Sequence, residues 1–188
     1  ACIVESNTAS DAGGGIYMNG HQGQVLNCTI RGNVASNGGG GLNSAKAGTV
    51  SNCWISGNRA MNGGGGMLSS NCMLINSVVV GNEASHGGGI SSAGADAAKA
   101  AVVNCTVVGN TATNQGGGTY AIQALVVNTI VYFNAAPIDS DLFSGAGSSF
   151  SNCCTPQTLG GANFTNAPAF VDFAGGDYHL ATASFCID

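Results

Sequence analysis

A seven-residue motif that returns at a nearly constant interval constrains this chain more than anything else in it. Asn27-Cys28-Thr29-Ile30-Arg31-Gly32-Asn33 recurs as Asn52-Cys53-Trp54-Ile55-Ser56-Gly57-Asn58 and as Asn76-Ser77-Val78-Val79-Val80-Gly81-Asn82. It returns again as Asn104-Cys105-Thr106-Val107-Val108-Gly109-Asn110. Weaker copies begin at Ala1, Asn128 and Asn152, and the leading Asn advances by 25, 24, 28, 24 and 24 residues. An alanine two residues after the second Asn (Ala9, Ala35, Ala60, Ala84, Ala112, Ala136) keeps the same phase. So does a glycine block that leads into Ile16, Leu42, Met67 or Ile90. Such a repeat is one supersecondary unit that cannot bury an apolar face alone, so its copies must stack.

Runs such as Gly38-Gly39-Gly40-Gly41 forbid helical repeats, and leucines are too few for a leucine-rich repeat. Short β-branched segments separated by Asn and Gly read as strands and bends. Alternation turns Val25, Cys28, Ile30, Ala35 and Leu42 inward, with bends near Asn27 and at Gly32-Asn33. The predicted fold is all-β: a right-handed parallel β-helix of about seven coils of about 25 residues, three short strands per coil, with an irregular C-terminal cap. Residues 1–136 form the regular coils, and 137–188 form the last coil and the capping segment of the same domain. The Asn columns are expected to stack as amide ladders. The column Cys2, Cys28, Cys53, Ser77, Cys105, Thr129, Cys153 points inward, its cysteines acting as small buried hydrophobes.

The Asn-Cys-Thr-Ile-x-Gly-Asn-x-Ala repeat with its Gly-Gly-Gly-Ile block resembles right-handed β-helix repeats of bacterial surface proteins, including the polymorphic outer-membrane-protein type. The end of the chain is similar to the closing segment of secreted β-helix proteins, through Ala167-Pro168-Ala169-Phe170-Val171-Asp172, Gly176-Asp177-Tyr178-His179-Leu180 and Ser184-Phe185-Cys186-Ile187-Asp188. The resemblance implies a secreted or cell-surface location. It does not choose among polysaccharide enzymes, adhesins and passive stalks. Opening inside a strand, at Ala1-Cys2-Ile3-Val4, the chain reads as a piece of something longer.

Four basic residues, scattered and outnumbered by nine acids, exclude a nucleic-acid footprint. No apolar run of about 18 residues offers a membrane span. His21, His86 and His179 lie in different coils, so neither a metal nor any other cofactor is expected. Asp139 and Asp141 alternate in the C-terminal segment and are weak candidates for a cation, solvated turn residues being the blander alternative. No acid cluster suggests catalysis, since Glu5, Asp11, Glu83 and Asp96 are spread along the coils, and a serine or cysteine nucleophile would need a partnered histidine that the sequence does not point to. Of the glycosylation sequons at Asn27, Asn104 and Asn163, only that at Asn163 falls in a loop. Cys154 and Cys186, both in the irregular cap, could close a disulfide.

The outward positions of the motif are unexpectedly apolar. Trp54, Val78, Val80, Val108, Ile130 and Tyr132 form a strip that marks either an interaction face or a surface covered by the chain's own segment 137–188. The glycine column reads as a tight joint or as a second flat face. Together these readings predict a non-enzymatic extracellular structural or surface protein. It would self-associate, by end-to-end stacking into a fibre, or serve as an adhesin or stalk. A polysaccharide-binding or polysaccharide-degrading β-helix is the alternative, with a glycan or cell-surface molecule as partner.

Overall fold

Left-handed bends shape each coil, and two of them bracket its first strand. Asn27, Asn52, Asn76, Asn104, Asn128 and Asn152 all take φ between +49° and +55°. Five residues on, Gly32, Gly57, Gly81 and Gly109 take φ between +60° and +63°. Asn and Gly are the residues for which left-handed backbone costs least, and each pair brackets a three-residue strand. The computed structural model, which describes residues 1–20, 22–93 and 100–187, is a parallel β-solenoid of about six turns.

Sheet 1 consists of the bracketed strands: Ile3–Glu5, Thr29–Arg31, Trp54–Ser56, Val78–Val80, Thr106–Val108 and Ile130–Tyr132. Sheet 2 holds Thr8–Ala9, Val34–Ala35, Arg59–Ala60, Glu83–His86 and Thr111–Gln115. Sheet 3 holds Ile16–Met18, Leu42–Ser44, Met67–Ser69, Ile90–Ala93, Thr119–Ile122 and Leu142–Ser144. Sheet 4 holds Gly23–Leu26, Gly48–Ser51, Cys72–Ile75, Ala100–Val103, Ala124–Val127 and Ser149–Ser151. Motif positions lie in register from coil to coil, as in Thr29 beside Trp54 and Val78 beside Thr106. The first five coils therefore have four strands where the sequence suggests three, and in the sixth the sheet 2 position is an isolated bridge between Thr111 and Ala135. The additional one, in sheet 2, is only two residues long in the early coils and has no alternation to betray it.

Inside, each inward position becomes a column. Ile30, Ile55, Val79, Val107 and Val131 fill the sheet 1 side, Leu42, Met67, Ile90 and Leu142 that of sheet 3, and Val50, Leu74, Val102 and Val126 that of sheet 4. All are at most 3% exposed, and each such side chain stabilises the fold by about 1.5–3 kcal/mol. The glycine blocks sit at the joint between sheets 2 and 3. A Cβ on Gly40 would stand 2.4 Å from the Arg59 carbonyl oxygen, and one on Gly41 2.9 Å from the Asn58 amide carbon. Glycine here permits close approach of successive coils, and that corner is an internal joint, not an outer face.

The two ends differ. In the first coil Cys2 is exposed and Val4, Ala9 and Ile16 are half-buried, whereas their successors Ile30, Ala35 and Leu42 are fully buried. At the far end the last motif copy does not build a further coil. Cys154 bridges Ile130 on one side and Phe164 on the other, and Leu159 packs against the core. The chain then forms an antiparallel hairpin, Phe170–Asp172 with Asp177–Leu180.

Candidate functional site

Two side-chain ladders run the length of the solenoid, and they account for about half of the buried polar residues. In the first, Asn33, Asn58, Asn82 and Asn110 are buried. The Asn58 backbone N–H and side-chain amide both donate to Asn82 Oδ1, at 2.9 Å each, and the amide also donates to the Ile30 carbonyl at 3.0 Å. The pattern repeats at Asn82, Asn110 and Asn134. It ends on Asp141, whose Oδ1 accepts from the Asn134 N–H at 2.8 Å and from the Asn134 amide at 3.0 Å. Buried amides fully satisfied in this way specify coil register strongly, since any slip would orphan several groups at once.

The second ladder is the cysteine column. The sequence reading treats these residues as small hydrophobes; the structure gives them hydrogen-bonding work as well. The Cys53 thiol donates to the Ser51 carbonyl at 3.2 Å, and the Cys28 N–H reaches the Cys53 sulfur at 3.5 Å. Ser77 and Thr129 do the same with hydroxyls. A small group able both to donate and to accept is what the position needs, so Cys, Ser and Thr interchange there. Burial pushes the Cys105 thiol up to about 12, which keeps it protonated and donating. This ladder ends on Asn163, whose Oδ1 accepts from the Cys153 N–H at 2.9 Å while its amide donates to Phe150 and Gly160 carbonyls. Asn163 thus serves as an end piece of the solenoid and not as a free loop residue.

Asp139 and Asp141 do not act together. Asp139 is exposed and accepts from the Gln115 amide at 3.0 Å, while Asp141 is buried in the first ladder. Burial raises the Asp141 carboxyl above its ordinary range. The other described acids are committed as well. Glu5 pairs with Arg31, Glu83 with Arg59, Asp11 accepts from Asn37, Asp172 from the Gly175 N–H, and Asp177 engages His179. Among the described residues no three His, Cys, Asp or Glu side chains converge as metal ligands, and no helix is long and apolar enough to cross a membrane. Asp96, His21, Lys99 and Asp188 lie outside the described residues.

The apolar strip on sheet 1 is occupied by the chain itself. The C-terminal hairpin lies along it, with Tyr178 stacked on Trp54 at 5.9 Å and a shallow groove of about 260 Å³ between Gly176–His179 and Trp54, Val78 and Thr106. Tyr132 donates its hydroxyl to the Thr165 carbonyl at 3.2 Å. Val108 is fully buried, Val78, Val80, Ile130 and Tyr132 are half-buried, and Trp54 keeps 39% exposure. The anchor absent from the sequence reading is Phe133. It replaces the repeat's glycine, keeps the left-handed backbone at φ +58°, and packs its ring 5.0 Å from Phe173 and 6.4 Å from Phe170. The signal available in the sequence was the concentration of aromatics at Phe164, Phe170, Phe173, Tyr178 and Phe185.

Cys154 and Cys186 meet beneath this hairpin, sulfur to sulfur at 3.0 Å. A second, half-buried feature spans sheets 2 and 3. Tyr120 stacks on Phe143 at 4.5 Å, His86 meets the Tyr120 ring edge-on, and Asn114 bonds the His86 ring at 2.8 Å. No protein-family model, curated protein or solved structure matches the chain.

Proposed function

We propose that this chain is a non-enzymatic structural solenoid of an extracellular or cell-surface protein, of the bacterial surface type its repeat resembles, and that its copies associate. The carrying observation is the internal amide ladder, in which Asn33, Asn58, Asn82 and Asn110 spend their side chains on one another. Low charge opposes contact between copies only weakly. A stiff rod with its polar groups consumed internally suits an adhesin or stalk.

Sedimentation velocity over a concentration series, with negative-stain micrographs, tests the reading. Dimers or fibres whose share rises with concentration are expected. A wild-type chain that stays monomeric at millimolar concentration overturns self-association.

The stacked Tyr120 and Phe143 beside His86, Asn114 and Gln115 favour a second reading, binding of a neutral glycan across sheets 2 and 3. Sugar rings stack on aromatic faces while amides take their hydroxyls. Binding on a glycan array that is lost in Tyr120→Ala supports it, and a blank array removes it.

A further inference from the structure

We infer that Cys154 and Cys186 are the two halves of a redox latch that fixes the C-terminal hairpin onto sheet 1, closing by exchange with a small-molecule disulfide. Three observations lead there. The sulfurs are already 3.0 Å apart, so forming a bond of about 2.05 Å requires a closure of about 1 Å. Cys154 is held in the end of the solenoid by its bridges to Ile130 and Phe164, whereas Cys186 lies beyond the hairpin, so the bond joins rod to strap. A cavity of about 410 Å³, lined by Asn104, Asn128, Ile130, Phe164 and Leu180, opens onto both cysteines and offers a reagent a path in.

The chemistry balances by ordinary exchange. Cys186, half-buried and the more accessible of the two, attacks the reagent disulfide as thiolate, forming a mixed disulfide and releasing one thiol. Cys154 then gives up its proton and attacks the Cys186 sulfur, releasing the second thiol. Two protein thiols are oxidised and one reagent disulfide is reduced to two thiols. Burial and the neighbouring Cys186 push the Cys154 thiol up, so the second step is slow without a general base. Cys28, Cys53, Cys72, Cys105 and Cys153 are not arranged for this, since each donates its thiol to a backbone carbonyl.

Once closed, the bond turns segment 155–185 into a loop that carries the whole hairpin. The hairpin otherwise rests on aromatic contacts among Trp54, Phe133, Phe170, Phe173 and Tyr178, which can open locally at little cost. The latch thereby decides whether the apolar strip stays covered. This inference does not depend on self-association.

Trp54, the chain's one tryptophan, stacks on the hairpin and reports its docking. The full chain is incubated with oxidised or reduced glutathione, alkylated, and mapped by mass spectrometry, and acrylamide quenching of Trp54 is followed in both states. Oxidation is expected to remove the mass of two hydrogen atoms, to link the peptides holding Cys154 and Cys186, and to weaken Trp54 quenching. Cys186→Ser, a change outside the coils, is expected to behave as the reduced protein under both conditions. A different cysteine pairing, no loss of mass, or equal Trp54 quenching in linked and reduced wild-type protein overturns the latch.

Discussion

At the scale of single residues, stability concentrates where a side chain closes several hydrogen bonds inside the rod. Asn82 accepts two from Asn58 and donates to Ile55, Val80 and Asn110. Asn82→Ala orphans several buried groups and is expected to cost about 3–4 kcal/mol in urea unfolding. Asn104→Gly, which keeps the left-handed bend and loses only exposed amide bonds, should stay within about 1 kcal/mol. Asp141 carries a pH dependence. Burial raises its carboxyl above the ordinary 3.8, so the folded state holds the proton more tightly than the unfolded chain does. The resulting stability is full below about pH 3.8 and lost as pH rises through the folded value. Asp141→Asn supplies the same acceptor without the charge and should gain about 1–2 kcal/mol at pH 7. Unfolding midpoints between pH 4 and 7 should show a flatter profile for the variant, and a wild-type profile that rises with pH would contradict this.

At the scale of elements, glycine does two different jobs, and substitution separates them. Gly57 has open space around it but φ +60°, so Gly57→Ala should cost about 1 kcal/mol from backbone strain. Gly65 has no unusual φ, yet an added Cβ would meet the Glu83 and Gly88 carbonyl oxygens at 2.4 Å. Gly65→Ala must push two coils apart and should cost about 3 kcal/mol or more, with loss of soluble yield as the simplest readout. The hairpin invites the reverse experiment. Phe133→Gly restores the residue of the repeat and relieves about 1 kcal/mol of left-handed strain, but removes contacts worth about 0.5–1.5 kcal/mol for each aromatic pair. Trp54 emission should shift to the red and quench more readily, while the circular dichroism of the sheets stays as it was.

At the scale of the whole molecule, the low charge sets how the protein responds to solution conditions. Only Arg31–Glu5 and Arg59–Glu83 pair a basic with an acidic side chain among the described residues, apart from the histidine contact, and both pairs are exposed. Exposed pairs contribute about 0–1 kcal/mol each. Stability should therefore be nearly insensitive to salt, with urea midpoints that barely move between dilute and concentrated sodium chloride. The polar cohesion of this rod lies in uncharged amide and thiol ladders, which salt does not screen.

The amino-acid sequence by itself determined the coil. Asn27 and Gly32 mark two bends, Cys28 and Ile30 point inward, and repetition of these columns in phase dictates a parallel solenoid because one coil cannot bury its own face. The two-residue strands of sheet 2 were not legible, since two residues carry no period. Tertiary structure alone decided how the repetition stops. Asp141 and Asn163 end the two ladders, and Phe133 takes a glycine's place to anchor the hairpin over Trp54. Cys154 and Cys186, 32 positions apart, are brought to 3.0 Å. Each of these roles depends on what the last coil leaves unsatisfied or exposed, and that exists only once the coils have stacked.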